Sequence, residues 1–147
     1  MATENLTTIS PSTNKPIRTR PEVTDAEVLA LPVRATQAFD RFKETSLEQR
    51  QRIVTKALDL IIQKQDVLAQ ELTEEMGRPI SYTAKEITTA VARSKYLLKI
   101  SDDALKDTEG EAEPGFRRFI RKYPVGPVLI IFAWNVSYTL LQLMVTL

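Results

Sequence analysis

The feature that most limits what this chain can fold into is its final stretch. From Pro124 to Leu147 there are 24 residues without a single charged side chain, opening with Pro124-Val125-Gly126-Pro127 and the run Val128-Leu129-Ile130-Ile131-Phe132. Five consecutive apolar residues rich in β-branching leave no face for water, which predicts a strand covered on both sides, as in a parallel sheet. Parallel strands are joined by long crossovers, usually helical. The residues before this run carry those helices. The expected fold is therefore mainly α with one to three short β-strands, the opening part of an α/β sheet whose other strands lie outside the chain.

The helices are marked by their ends. Thr24-Asp25-Ala26-Glu27 has the spacing of a capping box, in which the hydroxyl and the carboxylate satisfy amides that a helix start leaves unpaired. Pro32 then predicts a kink or restart before the pattern continues through Ala35, Ala38, Phe39 and Phe42. Ser46-Leu47-Glu48-Gln49 is a second such start, and Ile53, Ala57, Leu60 and Ile61 continue it on one face. Val67, Leu68, Leu72 and Met76 extend this helix to Gly77, where a left-handed residue followed by Pro79 is the expected stop. The series Ile80, Ala84, Ile87, Val91, Ser94, Leu98 predicts one long amphipathic helix to about Lys106.

Residues 1–23, with prolines at 11, 16 and 21, read as an irregular arm. After the helices the polarity switches. Asp102 to Glu113 holds six acids and one lysine, whereas Arg117, Arg118, Arg121 and Lys122 place four cations in six positions. Gly110, Pro114 and Gly115 make the junction a loop, and Phe116 to Tyr123 reads as an exposed strand. The chain thus divides into an arm (1–23), a helical part (24–107), a loop with a basic arm (108–124), a first sheet strand with its following loop (125–135) and an apolar tail (136–147).

Composition excludes several mechanisms. The 147 residues contain no Cys and no His, so the chain itself holds no thiol nucleophile, disulfide, imidazole acid or base, or ordinary zinc site. Twenty basic against nineteen acidic residues give a net charge of +1, which argues against nucleic acid as a partner. Met1 to Arg20 has no apolar core of the kind a signal peptide requires, so the expected location is cytoplasmic.

The segment Tyr123-Pro124-Val125-Gly126-Pro127-Val128-Leu129-Ile130-Ile131-Phe132-Ala133-Trp134-Asn135 resembles the aldehyde dehydrogenase superfamily, in which a Pro-Val-Gly turn precedes an apolar strand and a Pro-Trp-Asn loop. The upstream order agrees: Ala38-Phe39, the Gln49-Arg50 helix start, Leu72-Thr73-Glu74-Glu75-Met76-Gly77-Arg78-Pro79, then a long helix and a basic strand. The resemblance covers about residues 10–135. It implies NAD(P)-dependent oxidation of a small aldehyde to an acid through a cysteine thiohemiacetal and hydride transfer. By position, Asn135 is the oxyanion stabiliser, and Ile131, Phe132, Ala133 and Trp134 line the nicotinamide side of the cofactor cleft. The resemblance also makes the basic arm a contact with another subunit, giving a homo-oligomer.

The chain departs from this pattern at several points. It lacks the cysteine, Ala133 stands where proline is usual, and the match fades at Val136-Ser137. Val-Ser is what a read-through splice donor would encode, so residues 136–147 are expected to be foreign to the family. The resulting expectation is a truncated N-terminal portion that is inactive alone, does not bind NAD or NADP by itself, engages no membrane and is prone to aggregate. Two other classes compete with it. Val128 to Leu147 has the length of a membrane span and follows a cationic cluster, as in a tail-anchored protein. A helical interaction module is the other.

Overall fold

The computed structural model describes residues 4–133 together with Asn135 and Tyr138. Among these, four helices are flanked by two small antiparallel hairpins: β1 (Asn5–Ile9), β2 (Pro16–Pro21), α1 (Asp25–Phe42), α2 (Leu47–Gln63), α3 (Gln65–Met76), α4 (Ile80–Leu105), β3 (Thr108–Glu109) and β4 (Phe119–Ile120). The chain is mainly helical with a few short strands, as the sequence reading requires.

Both predicted capping boxes form. The Glu27 and Gln49 backbone amides donate to the Thr24 and Ser46 hydroxyls at 3.3 and 3.2 Å, and the reciprocal bonds from the Thr24 and Ser46 amides measure 2.9 and 3.0 Å. Pro32 lies inside α1, which runs unbroken from Asp25 to Phe42. The expected interruption is absent because an exposed helix leaves the carbonyl that proline cannot serve open to water. Ser46 to Met76 is two helices rather than one, divided at Lys64. The Lys64 amide is shared among the Leu60, Ile61 and Ile62 carbonyls, the bifurcated pattern of a helix end.

α4 is the spine of the core. Its buried face combines Thr83, Ile87, Ala90, Val91 and Ser94, facing Leu58 on α2 and Ala69 and Leu72 on α3. Three of the five are small or hydroxylated, which allows close approach of neighbouring helices. The hydroxyls stay satisfied: Ser94 donates to the Ala90 carbonyl at 2.9 Å and Thr83 to that of Ile80 at 3.0 Å. Gln51 ties α2 to the far end of α4 by donating to Ser101 and Asp102 at 2.8 and 3.0 Å. On α2, Leu58 enters the core while Ile53, Ala57 and Leu60 face outward, so the expected apolar stripe is rotated away from α4.

The expected irregular arm is a hairpin over its described residues 5–21. β1 and β2 pair through Leu6 with Arg20, Thr7 with Thr19 and Thr8 with Arg18, around a turn in which Asn14 adopts a left-handed φ of 54°. Prolines at a strand's ends or in the turn leave such a ladder intact, which is why their regular spacing misleads. The Arg18 guanidinium reaches Glu71 at 3.2 Å and Glu75 at 3.9 Å, seating the hairpin on α3.

Beyond α4 the expected strand 116–123 is reduced to Phe119 and Ile120, paired with Glu109 and Thr108, and a single bridge between Phe116 and Glu113. The predicted buried strand is absent. Val125 to Ala133 form no strand, and Leu129 and Ile131 are 86% and 85% exposed. A strand takes its regular form from a neighbour's ladder, and none of the described residues supplies one.

Candidate active-site edge

Gly77 ends α3 with φ 69°, a left-handed conformation that suits glycine, and a Cβ there would lie 3.0 Å from the Pro11 side chain. The turn sends Arg78 outward and starts α4 directly after Pro79. Two turns into α4, Glu86 is buried. Its carboxylate accepts from the Arg78 guanidinium on one oxygen and from the Tyr138 backbone amide, at 2.9 Å, on the other. Arg78 also donates to the Asn135 backbone carbonyl at 3.4 Å.

The residues assigned to chemistry follow Pro124. Gly126 adopts φ 116°, open to glycine and strained for other residues, and this turns the chain between two prolines. Pro124 to Val128, with Ile130, then flank a cavity of about 440 Å³ against Ala38, Phe39 and Phe42 of α1. The Arg50 Nε is buried beside this segment without a partner among the described residues. Ile131, Phe132 and Ala133 are exposed, as is Asn135. Trp134 and, apart from Tyr138, the tail 136–147 lie outside the described residues. Tyr138 is half-buried, and desolvation, reinforced by the negative charges of Glu71, Glu75 and Glu86, pushes its phenol above the ordinary tyrosine range.

The structure thus gathers Asn135 and Tyr138 at the α3–α4 junction and leaves Ile131 and Phe132 as an uncovered apolar edge. An exposed apolar edge of this kind suits the face of a nicotinamide ring. The glycine-rich phosphate cradle a whole dinucleotide needs is not found among the described residues, so the fit is to the ring alone. No group of acidic residues is placed to hold a metal ion, and no helix is long and apolar enough to cross a membrane, among the described residues. Arg78 and Glu86 were not legible as site residues. The available signals were the Gly-Arg-Pro junction and an acid beside the apolar stripe of α4.

The four-helix arrangement with its two hairpins is that of known oxidoreductases. A putative aldehyde dehydrogenase from Burkholderia cenocepacia superposes with a TM-score of 0.85 over 95% of this chain and 28% of its own, at 22% identity. Succinic semialdehyde dehydrogenase from Streptococcus pyogenes, solved with NADP+, does so with 0.83 over 92% and 30%, at 23% identity. In sequence, the succinate-semialdehyde dehydrogenase [NADP(+)] 1 of Mycobacterium tuberculosis is 28% identical over 132 residues, 88% of this chain and 29% of that protein. The family profile described as "Aldehyde dehydrogenase family" matches residues 1–147, and the chain belongs to that family. It spans somewhat under a third of the length of the curated relatives it matches.

Proposed function

We propose that this chain forms the N-terminal portion of an NAD(P)-dependent aldehyde dehydrogenase and supplies one wall of its active site. The observation that carries the reading is the Asn135 turn, held by its backbone at the end of an exposed apolar segment. Asn135 donates its side-chain amide to the oxygen on which negative charge develops when a thiolate adds to the aldehyde. A preorganised donor at such an oxygen contributes about 2.7–4 kcal/mol. Ile131, Phe132 and Ala133, exposed and apolar, would form the flank that receives the nicotinamide, and Trp134 is assigned to it by the resemblance alone. When bound, that ring accepts the hydride from the substrate carbon. The M. tuberculosis relative's name makes succinate semialdehyde and NADP+ the first pair to test. The basic arm around β4 serves as a contact between subunits.

The chain contains no Cys, so it is inactive alone. Pure protein mixed with succinate semialdehyde and NADP+ or NAD+ is expected to give no absorbance rise at 340 nm. The positive test replaces the matching segment of the M. tuberculosis enzyme with residues 4–135 of this chain. NADPH formation by that hybrid supports the reading, and Asn135→Ala within it should lower kcat roughly 100- to 1000-fold. A soluble, cofactor-binding hybrid whose rate ignores Asn135→Ala removes the assigned role.

A further inference from the structure

We propose that Arg78 and Glu86 are positioning residues, a brace that holds the main chain of the Asn135 turn and so sets where the Asn135 side-chain amide stands. The inference rests on the reading of Asn135 as the oxyanion donor. Among the described residues, Glu86 is the one buried residue that carries a charge. Its two oxygens have two different partners: Arg78, eight residues away, and the Tyr138 backbone amide, fifty-two residues away, at 2.9 Å. Arg78 Nη1 carries two hydrogens and serves both the Glu86 carboxylate and the Asn135 carbonyl, the latter at 3.4 Å.

An ion pair that only stabilised the α3–α4 junction would need no partner in the distant chain. Here both members reach across to the same distant stretch, Arg78 to Asn135 and Glu86 to Tyr138. Both contacts are made to backbone atoms, and Asn135 itself stays exposed. The brace therefore fixes the turn without occupying the side chain that does the chemistry. It also gives the Gly77-Arg78-Pro79 sequence a purpose beyond ending a helix: the left-handed glycine aims the arginine, and the proline places α4 so that Glu86 comes level with it. Arginine suits the position because its planar fork offers several donors in fixed directions.

The test uses the full 147-residue chain labelled with nitrogen-15 and carbon-13, at a dilution below that at which size exclusion shows association. In the unaltered protein the Tyr138 amide should exchange at least about tenfold more slowly than in an unstructured peptide. Glu86→Ala should remove that protection and move the Asn135 side-chain amide resonances, while Ile87, Ala90 and Val91 keep theirs. Glu86→Gln retains an acceptor oxygen and should hold Tyr138 within about threefold of the unaltered rate, a rescue that a general packing role would not produce. Arg78→Ala should shift the Asn135 carbonyl carbon. Where Glu86→Ala melts α4, the unaltered Tyr138 rate and the Arg78→Ala shift decide. Unprotected Tyr138 in the unaltered chain, or an Asn135 carbonyl indifferent to Arg78→Ala, overturns the brace. These readouts involve no catalysis, so they separate its failure from that of the oxyanion assignment, which the hybrid enzyme tests.

Discussion

Removing one member of the Arg78–Glu86 pair is unlike removing both. Arg78→Ala leaves a buried carboxylate without its cation, a change that costs about 3–5 kcal/mol when the pair is fully enclosed. Arg78 keeps about a third of its side chain in water, so the expected loss lies at or below the lower end of that range. Urea titration should show a larger drop for Arg78→Ala than for Arg78→Met combined with Glu86→Leu, because the double change strands no charge. Gly77 is the other residue with a measurable penalty. A side chain there must accept a left-handed backbone and crowd Pro11 at 3.0 Å, so Gly77→Ala should lower stability by at least about 1–2 kcal/mol. Circular dichroism melts check this, and an unchanged midpoint would show that the hairpin yields freely.

The same cap has different consequences in different elements. Thr24→Ala and Ser46→Ala each remove a side-chain bond to a helix start, worth typically about 1 kcal/mol to the helix. α2 is anchored in the core through Leu58, so its cap should register in global unfolding. α1 has no buried residue, so loss of Thr24 should instead fray its first turn, seen as faster amide exchange at Val28 and Leu29 with an unchanged urea midpoint. The β3–β4 hairpin carries a pH signature. Arg121 grips both Asp107 oxygens, Oδ1 from Nε at 3.2 Å and Oδ2 from Nη2 at 2.8 Å, and its hydrogen bond holds that carboxyl below its ordinary range. A lowered folded value means the contribution is complete above the unfolded value of about 4 and is lost as pH falls through the lower folded one. The Arg121 Nε signal should therefore stay put down to about pH 4 and move only below it. Movement beginning near neutrality would exclude Asp107 as the cause.

At the scale of the whole molecule, apolar surface among the described residues stands open on the outer side of α1, with Val28, Leu29 and Val33, on α2, with Ile53 and Leu60, and along the segment from Val125 to Ile131. Exposed apolar patches of this kind promote association, so size exclusion is expected to show oligomers or aggregates that grow with concentration. A sharp monomer peak at high concentration would contradict that. What the sequence determined by itself is local: both capping boxes, the glycine stop at 77, the long α4, and the collinear motifs that place the chain in its family. Each depends on neighbours within a few residues, and proximity along the chain supplies them. The failures are those whose causes lie far away in sequence. Nothing in residues 1–23 announces a hairpin until Arg18 meets Glu71, and either apolar side of α2 fits a helix until α4 selects Leu58. Val128 to Phe132 has the composition of a buried strand yet takes that form only against a neighbour. The tertiary structure alone brought Arg78, Glu86, Asn135 and Tyr138 together, because a buried carboxylate must find its donors wherever the fold places them, and no spacing along the chain encodes where that is.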